Sequence, residues 1–289
     1  MISWSDELVE VIARRRCVVV IGAGVSRNSV NNEGKRPATW EEFLKECAKS
    51  IDEPEYINKL IEARDYLTAC EIIKNKLTSD TFINKVEQEY QKAGYEPANI
   101  HESIYKLDVS VVVSPNFDSI YDNYATSVSL GTVTIKDHTS EDIANYLLGG
   151  NHRLILKSHG TINTPSKLIF TRKEYAEART KYVLFYEILK SLALTHTFLF
   201  IGCGTDDPDI RTLFEDINFA HGRIPFHYMT LPNGEVHNDL LEIISDSMRI
   251  KFLKYSPEKN HSELTQSLDE LVIKVEEYRD LQLKGSLKW

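Results

Sequence analysis

Cysteine is scarce in this chain: four residues in 289, Cys17, Cys47, Cys70 and Cys203, with no C-x-x-C pair and no close Cys/His cluster. That spacing excludes a disulfide framework and a zinc knuckle, and reads as the reduced, packing cysteines of a cytosolic protein. Positive charge is short as well. With 34 Lys and Arg against 43 Asp and Glu, the formal net charge is −9. This argues against an autonomous nucleic-acid binder, because neutralising phosphates takes clustered cations, and leaves only a local basic groove open. Long apolar runs are missing: none approaches membrane-spanning length. The first fifteen residues place Trp4, Asp6 and Glu7 ahead of Arg14 and Arg15, without the apolar core of a signal peptide. The expectation is a cytoplasmic protein with no membrane contact. Repeats, low-complexity tracts and domain-separating linkers are also lacking.

What is present fits one α/β domain over residues 1–289, since 42% hydrophobic content at this length fills a full core. Cys17–Ile21 is a short, wholly apolar, β-branched run closed by glycine, the pattern of a buried parallel strand. Similar runs lie at Val109–Val113, Leu154–Leu156, Phe198–Ile201, Phe226–Leu231 and Met248–Leu253. Most are separated by helical patterns, which predicts a doubly wound parallel sheet with right-handed crossovers. The longest gap between strands, about 40–105, suggests only helices and is read as an inserted helical module. A C-terminal amphipathic helix is expected at about 261–284, with Asn260 and Glu263 as its capping box.

Four motifs follow strand candidates. Gly22-Ala23-Gly24-Val25-Ser26 follows the first; two glycines allow a tight turn and close approach to a pyrophosphate, but Arg27 precludes the full dinucleotide fingerprint. A turn that binds nothing is the alternative. Ser114-Pro115-Asn116-Phe117-Asp118 ends the second run, where open α/β sheets gather ligands. Asn116 offers an amide and Asp118 a carboxylate; equally, either caps a helix through Ile120, Tyr121 and Tyr124. Lys157-Ser158-His159-Gly160 brings a potential general base to another strand end. Gly202-Cys203-Gly204 begins a turn in which Asp206 or Asp207 is expected to cap a helix starting near Pro208.

In this order and spacing the motifs resemble the sirtuin superfamily, from about Val18 to Asp209, with Thr39-Trp40 matching a segment common in prokaryotic members. The chain most resembles the NAD-hydrolysing domains of bacterial antiphage defence, such as the Thoeris effector and the sirtuin-like partners of HerA-type ATPases. The resemblance implies a Rossmann-like sheet with an inserted helical module. It also implies NAD as substrate, held by Gly22, Ala23, Gly24 and Ser26 at its phosphates and ribose and flanked at the adenosine by Gly202, Cys203 and Gly204. Asn116 and Asp118 then face the nicotinamide ribose, and His159 is the catalytic base. No metal is expected. The implied activity is cleavage of the nicotinamide–ribose bond, depleting NAD in defence and held off until a partner, an ATPase of the HerA type or a homo-oligomer assembles. The Pro-Asp-Phe-Arg segment and zinc module of deacylating sirtuins are absent, which argues against protein deacylation. The alternative is a non-catalytic NAD- or ADP-ribose-binding subunit of an ATPase complex; DNA cleavage has no metal-ligand cluster to support it.

Overall fold

A strand that is apolar on both faces needs helices on both sides of its sheet. The computed structural model, which describes residues 1–148, 153–204, 208–221 and 224–285, has that arrangement. Among the described residues the strands are β1 (Cys17–Ile21), β2 (Val111–Ser114), β3 (Thr134–Asp137), β4 (Leu154–Lys157), β5 (Thr197–Ile201), β6 (His227–Pro232) and β7 (Ile250–Tyr255). They form one sheet in the order β3-β4-β2-β1-β5-β6-β7, each neighbouring pair parallel. The chain passes from β1 to β2 and on to the edge strand β3, returns to place β4 between β2 and β3, and then restarts on the other side of β1 at β5. This is the Rossmann-like, doubly wound architecture, and its winding reverses between β1 and β5.

The helices in chain order are α1 (Asp6–Ala13), α2 (Ala23–Ser26), α3 (Trp40–Ala48), α4 (Glu55–Glu62), α5 (Tyr66–Lys76), α6 (Ser79–Tyr90) and α7 (Asn99–Lys106). They continue with α8 (Ile120–Val128), α9 (Ile143–Leu148), α10 (Arg172–Lys181), α11 (Val183–Thr195), α12 (Pro208–His221), α13 (Asn238–Met248) and α14 (Glu258–Leu283). Alternation along β1 sends Val19 and Ile21 into one core with α1, α7, α8 and α14, and Val18 and Val20 into another with α9 to α13. A third core fills α3 to α6 and is closed by Phe117, Ile162, Leu168 and Phe170, which come from the segments that follow β2 and β4. Phe170 is the shared contact, 4.3 Å from Phe117 and 5.1 Å from Phe82 between ring centroids. The helix α7 lies apart from this third core: its Ile100 and Ile104 pack with α1 and α14.

Several boundaries differ from the sequence reading. The second strand starts at Val111, because Asp108 takes a left-handed turn (φ 53°) and Val109 is buried ahead of the ladder. Met248 is the last residue of α13, and Arg249 (φ 54°) stops that helix before β7 begins. The edge strand β3 was not foreseen; its residues Thr134, Ile135, Lys136 and Asp137 are none of them fully buried, so it lacks the continuous apolar run of the inner strands. The expected capping box of α14 does not form. Asn260 is left-handed (φ 62°), whereas an N-cap is extended, and Glu263 instead reaches the amino group of Met1 at 2.6 Å.

His227 shows what burial does to a titratable group in this sheet. It is fully buried between Phe198 and Phe214, and its Nδ1 accepts from the Phe198 N–H at 3.1 Å. The Nε2 atom is buried without a hydrogen bond. Burial, aided by the charge of Arg249, pushes its pKa from 6.5 down to about 3. Burial likewise pushes His138 down to about 4. Both imidazoles are therefore neutral in the folded state but take up protons on unfolding below 6.5, so their contribution is complete above 6.5 and is lost as pH falls. Urea midpoints are expected to decline from pH 6.5 towards 4, and His227→Asn, which keeps an acceptor for the Phe198 N–H, is expected to flatten that decline.

Candidate functional site

The turns that leave β1 and β5 touch backbone to backbone. Gly22 N–H donates to Ile201 O and Gly24 N–H to Gly202 O, both at 2.9 Å. A Cβ at Gly22 would stand 2.4 Å from Gly202 O, one at Gly24 2.9 Å from the same oxygen, and one at Gly202 2.6 Å from Val25 N. Gly202 also has φ +63°. Glycine is required here first by the other turn. Gly24 is spent on this contact and does not line the adjacent cavity.

This packing fixes α2, whose Ser26 reaches the end of β2. Ser26 Oγ donates to Asp118 Oδ2 at 2.8 Å, and Asn116 Nδ2 donates to Gly22 O at 3.0 Å and to Ser26 Oγ at 3.1 Å. Asp118 Oδ1 accepts from the Ile120 N–H at 3.1 Å, so its carboxylate also anchors the start of α8. Behind it, Lys157 at the end of β4 is buried, 1% exposed, and its ammonium donates to Asp118 O at 2.7 Å and pairs with Asp122 Oδ2 at 3.0 Å. Burial pushes the Asp122 carboxyl up against the opposing pull of Lys157. One lysine thus ties the His159 strand end to the Asn116–Asp118 segment.

His159 follows two residues later and is 5% exposed. Its Nδ1 lies 3.3 Å from the hydroxyl of Tyr175, and the two rings meet edge to face at 5.0 Å. Gly160 takes φ +87°, a backbone conformation that side chains rarely adopt, and a Cβ there would meet Lys167 O at 3.0 Å. These groups line one cavity of about 480 Å³, within the range of small-molecule sites. Gly22, Ala23, Ser26, Asn116, Asp118, His159, Gly202, Cys203 and Gly204 all contribute to its wall. A larger open groove of about 1280 Å³ runs beside α3 and α6, with the ion pairs Arg27–Glu42 and Lys35–Glu89 among its lining residues.

Other parts of the wall come from residues that were not among the expected site residues. The module supplies Trp40, Arg64, Asp65 and Tyr66, and α10 supplies Arg172 and Tyr175. Arg172 and Asp65 pair across the mouth at 3.4 Å, and Lys74 pairs with Glu174 beside them. The Thr171-x-x-Glu174 capping box was visible as a spacing and marks where α10 begins, but nothing in it tells which way Tyr175 faces. The burial of Lys157 had no signal either. The expected cap at Asp206 or Asp207 lies outside the described residues.

Removing one member of a buried ion pair leaves the other charged and alone, at a cost of about 3–5 kcal/mol. Lys157→Met is therefore expected to lower unfolding stability by about that amount in urea titrations, and a second change, Asp122→Asn, to recover most of it.

Residues 110–254, half of the chain, match the family described as SIR2-like domain. The NAD(+) hydrolase ThsA of Enterococcus faecium is 24% identical over 213 residues, covering 73% of this chain and 42% of that protein. Defense-associated sirtuin 2 of Bacillus subtilis is 24% identical over 251 residues, 84% of this chain and 24% of that protein. The NAD(+) hydrolase ThsA of Acinetobacter baumannii (strain 532279) is 22% identical over 215 residues, 73% of this chain and 41% of that protein. The chain spans less than half the length of these curated relatives. The parallel sheet, the glycine turns of β1 and β5, the Asn116 and His159 strand ends and the family match agree, and the chain belongs to the SIR2-like domain family.

Proposed function

We propose that this chain is an NAD+ hydrolase that cleaves the nicotinamide–ribose bond and acts in antiphage defence by depleting NAD. One observation carries the reading: four strand ends bring the β1 glycine turn, Asn116, His159 and the β5 turn around a single cavity beside the reversal of winding, where open α/β sheets take ligands. The relatives' names, NAD(+) hydrolase and defense-associated sirtuin, support the substrate and the setting.

On this reading the adenosine lies by Gly202–Gly204, the diphosphate along Gly22–Ser26, and the nicotinamide ribose against Asn116 and His159. Arg64 and Arg172 line the cavity and are the cations placed to meet the diphosphate, Arg172 by exchanging its pair with Asp65 for a phosphate oxygen. As the C1′–N bond breaks, its electron pair stays with the nicotinamide nitrogen and neutralises that ring, while positive charge develops on the ribose. Water adds to C1′ and gives its proton to His159, yielding ADP-ribose. Asn116, its amide nitrogen committed to Gly22 O and Ser26 Oγ, turns its carbonyl oxygen to that water. Asp118 holds the assembly through Ser26 and lends negative charge near the ribose. Activity is held in check until a partner, an ATPase or a second copy assembles on the chain.

A second reading, a binding-only subunit, draws support from how fully Ser26, Asn116 and Asp118 already satisfy one another. Turnover separates the two. Nicotinamide release from NAD, measured for the chain alone and with a candidate ATPase, is expected to fall about 10²- to 10⁴-fold in His159→Ala and to vanish in Asn116→Ala. NAD binding without release under either condition would leave the binding subunit. Arg172→Ala is expected to raise KM for NAD about tenfold with kcat little changed, the loss of about 1.4 kcal/mol of uniform binding.

A further inference from the structure

The nitrogen of His159 that faces Tyr175 decides what the other nitrogen can do. In a neutral imidazole one nitrogen carries the proton and the other is the base. If the tyrosine hydroxyl donated to Nδ1, the proton would sit on Nε2 and the ring could only donate towards a ligand. If the hydroxyl oxygen accepts from Nδ1–H, Nε2 is basic. We infer that Tyr175 is a positioning residue that accepts from His159 Nδ1–H, fixing the tautomer and ring orientation that make Nε2 the proton acceptor. The inference rests on the reading of His159 as the base.

Four observations carry it. The hydroxyl is 3.3 Å from Nδ1, at the long end for a hydrogen bond. Tyr175 and His159 are 3% and 5% exposed, so bulk water does not substitute for either partner. Both side chains line the same cavity, with Phe117 bounding the imidazole at 6.5 Å between centroids. Finally, Tyr175 stands on a part of the chain that is unusually well tied down. Its N–H donates to Thr171 O at 2.9 Å, while Glu174 accepts from the N–H groups of Phe170 at 2.8 Å and Thr171 at 3.0 Å and pairs with Lys74 of α5. The backbone of His159 is held in turn, its carbonyl accepting from the Ile169 N–H at 3.1 Å. A phenol so placed gains strength as an acceptor when the imidazole becomes cationic, because Nδ1–H then grows more acidic. The bond is therefore stronger after proton transfer than before it, which is the differential that speeds a reaction.

The test is Tyr175→Phe, which keeps the ring and removes only the hydroxyl. Long-range proton–nitrogen NMR of histidine-labelled protein, with the His159 signals assigned by their loss in His159→Gln, reads the tautomer directly. The wild type is expected to show the proton on Nδ1, and Tyr175→Phe a mixture of tautomers. In nicotinamide release, Tyr175→Phe is expected to lower kcat about five- to tenfold, the scale of one neutral hydrogen bond, with KM for NAD within about twofold. A wild-type proton on Nε2, or a Tyr175→Phe protein with unchanged tautomer and unchanged kcat, overturns the role of Tyr175. Absence of nicotinamide release by the wild type both alone and with a candidate ATPase overturns the hydrolase reading instead, and the NMR result still tells whether Tyr175 sets the ring.

Discussion

The close approach of two backbones, Gly22–Gly24 against Gly202, is the contact from which the rest of the site hangs. Because β1 and β5 are adjacent and parallel, their turns leave the sheet side by side and compete for the same space. Three positions without Cβ atoms let the turns interlock at hydrogen-bonding distance. This aims α2 so that Ser26 meets Asp118, 92 positions along the chain, and Gly22 O meets the amide of Asn116. The polar network is thus anchored by a steric fit, and its hydrogen bonds follow from that fit.

How much could be read from the sequence depended on which force set each feature. The strands β1, β4 and β5 lie at or within a residue of their apolar runs, because burial on both faces demands continuous hydrophobicity. The edge strand β3 escaped notice because only one neighbour constrains it and none of its side chains is fully buried. In the site, Asn116, His159 and the glycine turns were legible because sheet topology sends every parallel strand's C-terminal end to one edge, whatever lies between them in sequence. Arg64, Arg172 and Tyr175 were not. They reach the cavity from the turn between α4 and α5 and from α10, whose placement is set by tertiary packing, and no local pattern encodes that. The glycines were found, but for half the reason: close approach was expected to a ligand, and the structure shows it between two turns.

The site also crosses the boundary between sheet and module. Phe117 sits between Asn116 and Asp118 in sequence and sends its ring into the third core, where Trp40, Tyr90 and Phe170 surround it. Polar alignment at the strand end therefore depends on apolar packing contributed by α3 to α6. Two ion pairs from α5 to the first turn of α10 reinforce the same junction on the other side of the cavity. The module is in this sense a wall of the site.

That shared core has a consequence for biosynthesis. The residues of α3 to α6 are complete at Tyr90, yet their apolar interior stays open until Phe117 and then Phe170 emerge to close it. Tyr90 and Phe170 are separated by roughly 80 residues, so at translation rates of about 5–20 residues per second the interval is roughly 4–16 s. During that time Phe82 and Tyr90 lack the rings of Phe170 and Phe117 that they meet in the finished protein. On the ribosome the nascent module is thus an exposed hydrophobic surface of the kind that chaperones bind, and its maturation is timed by a segment belonging to the sheet.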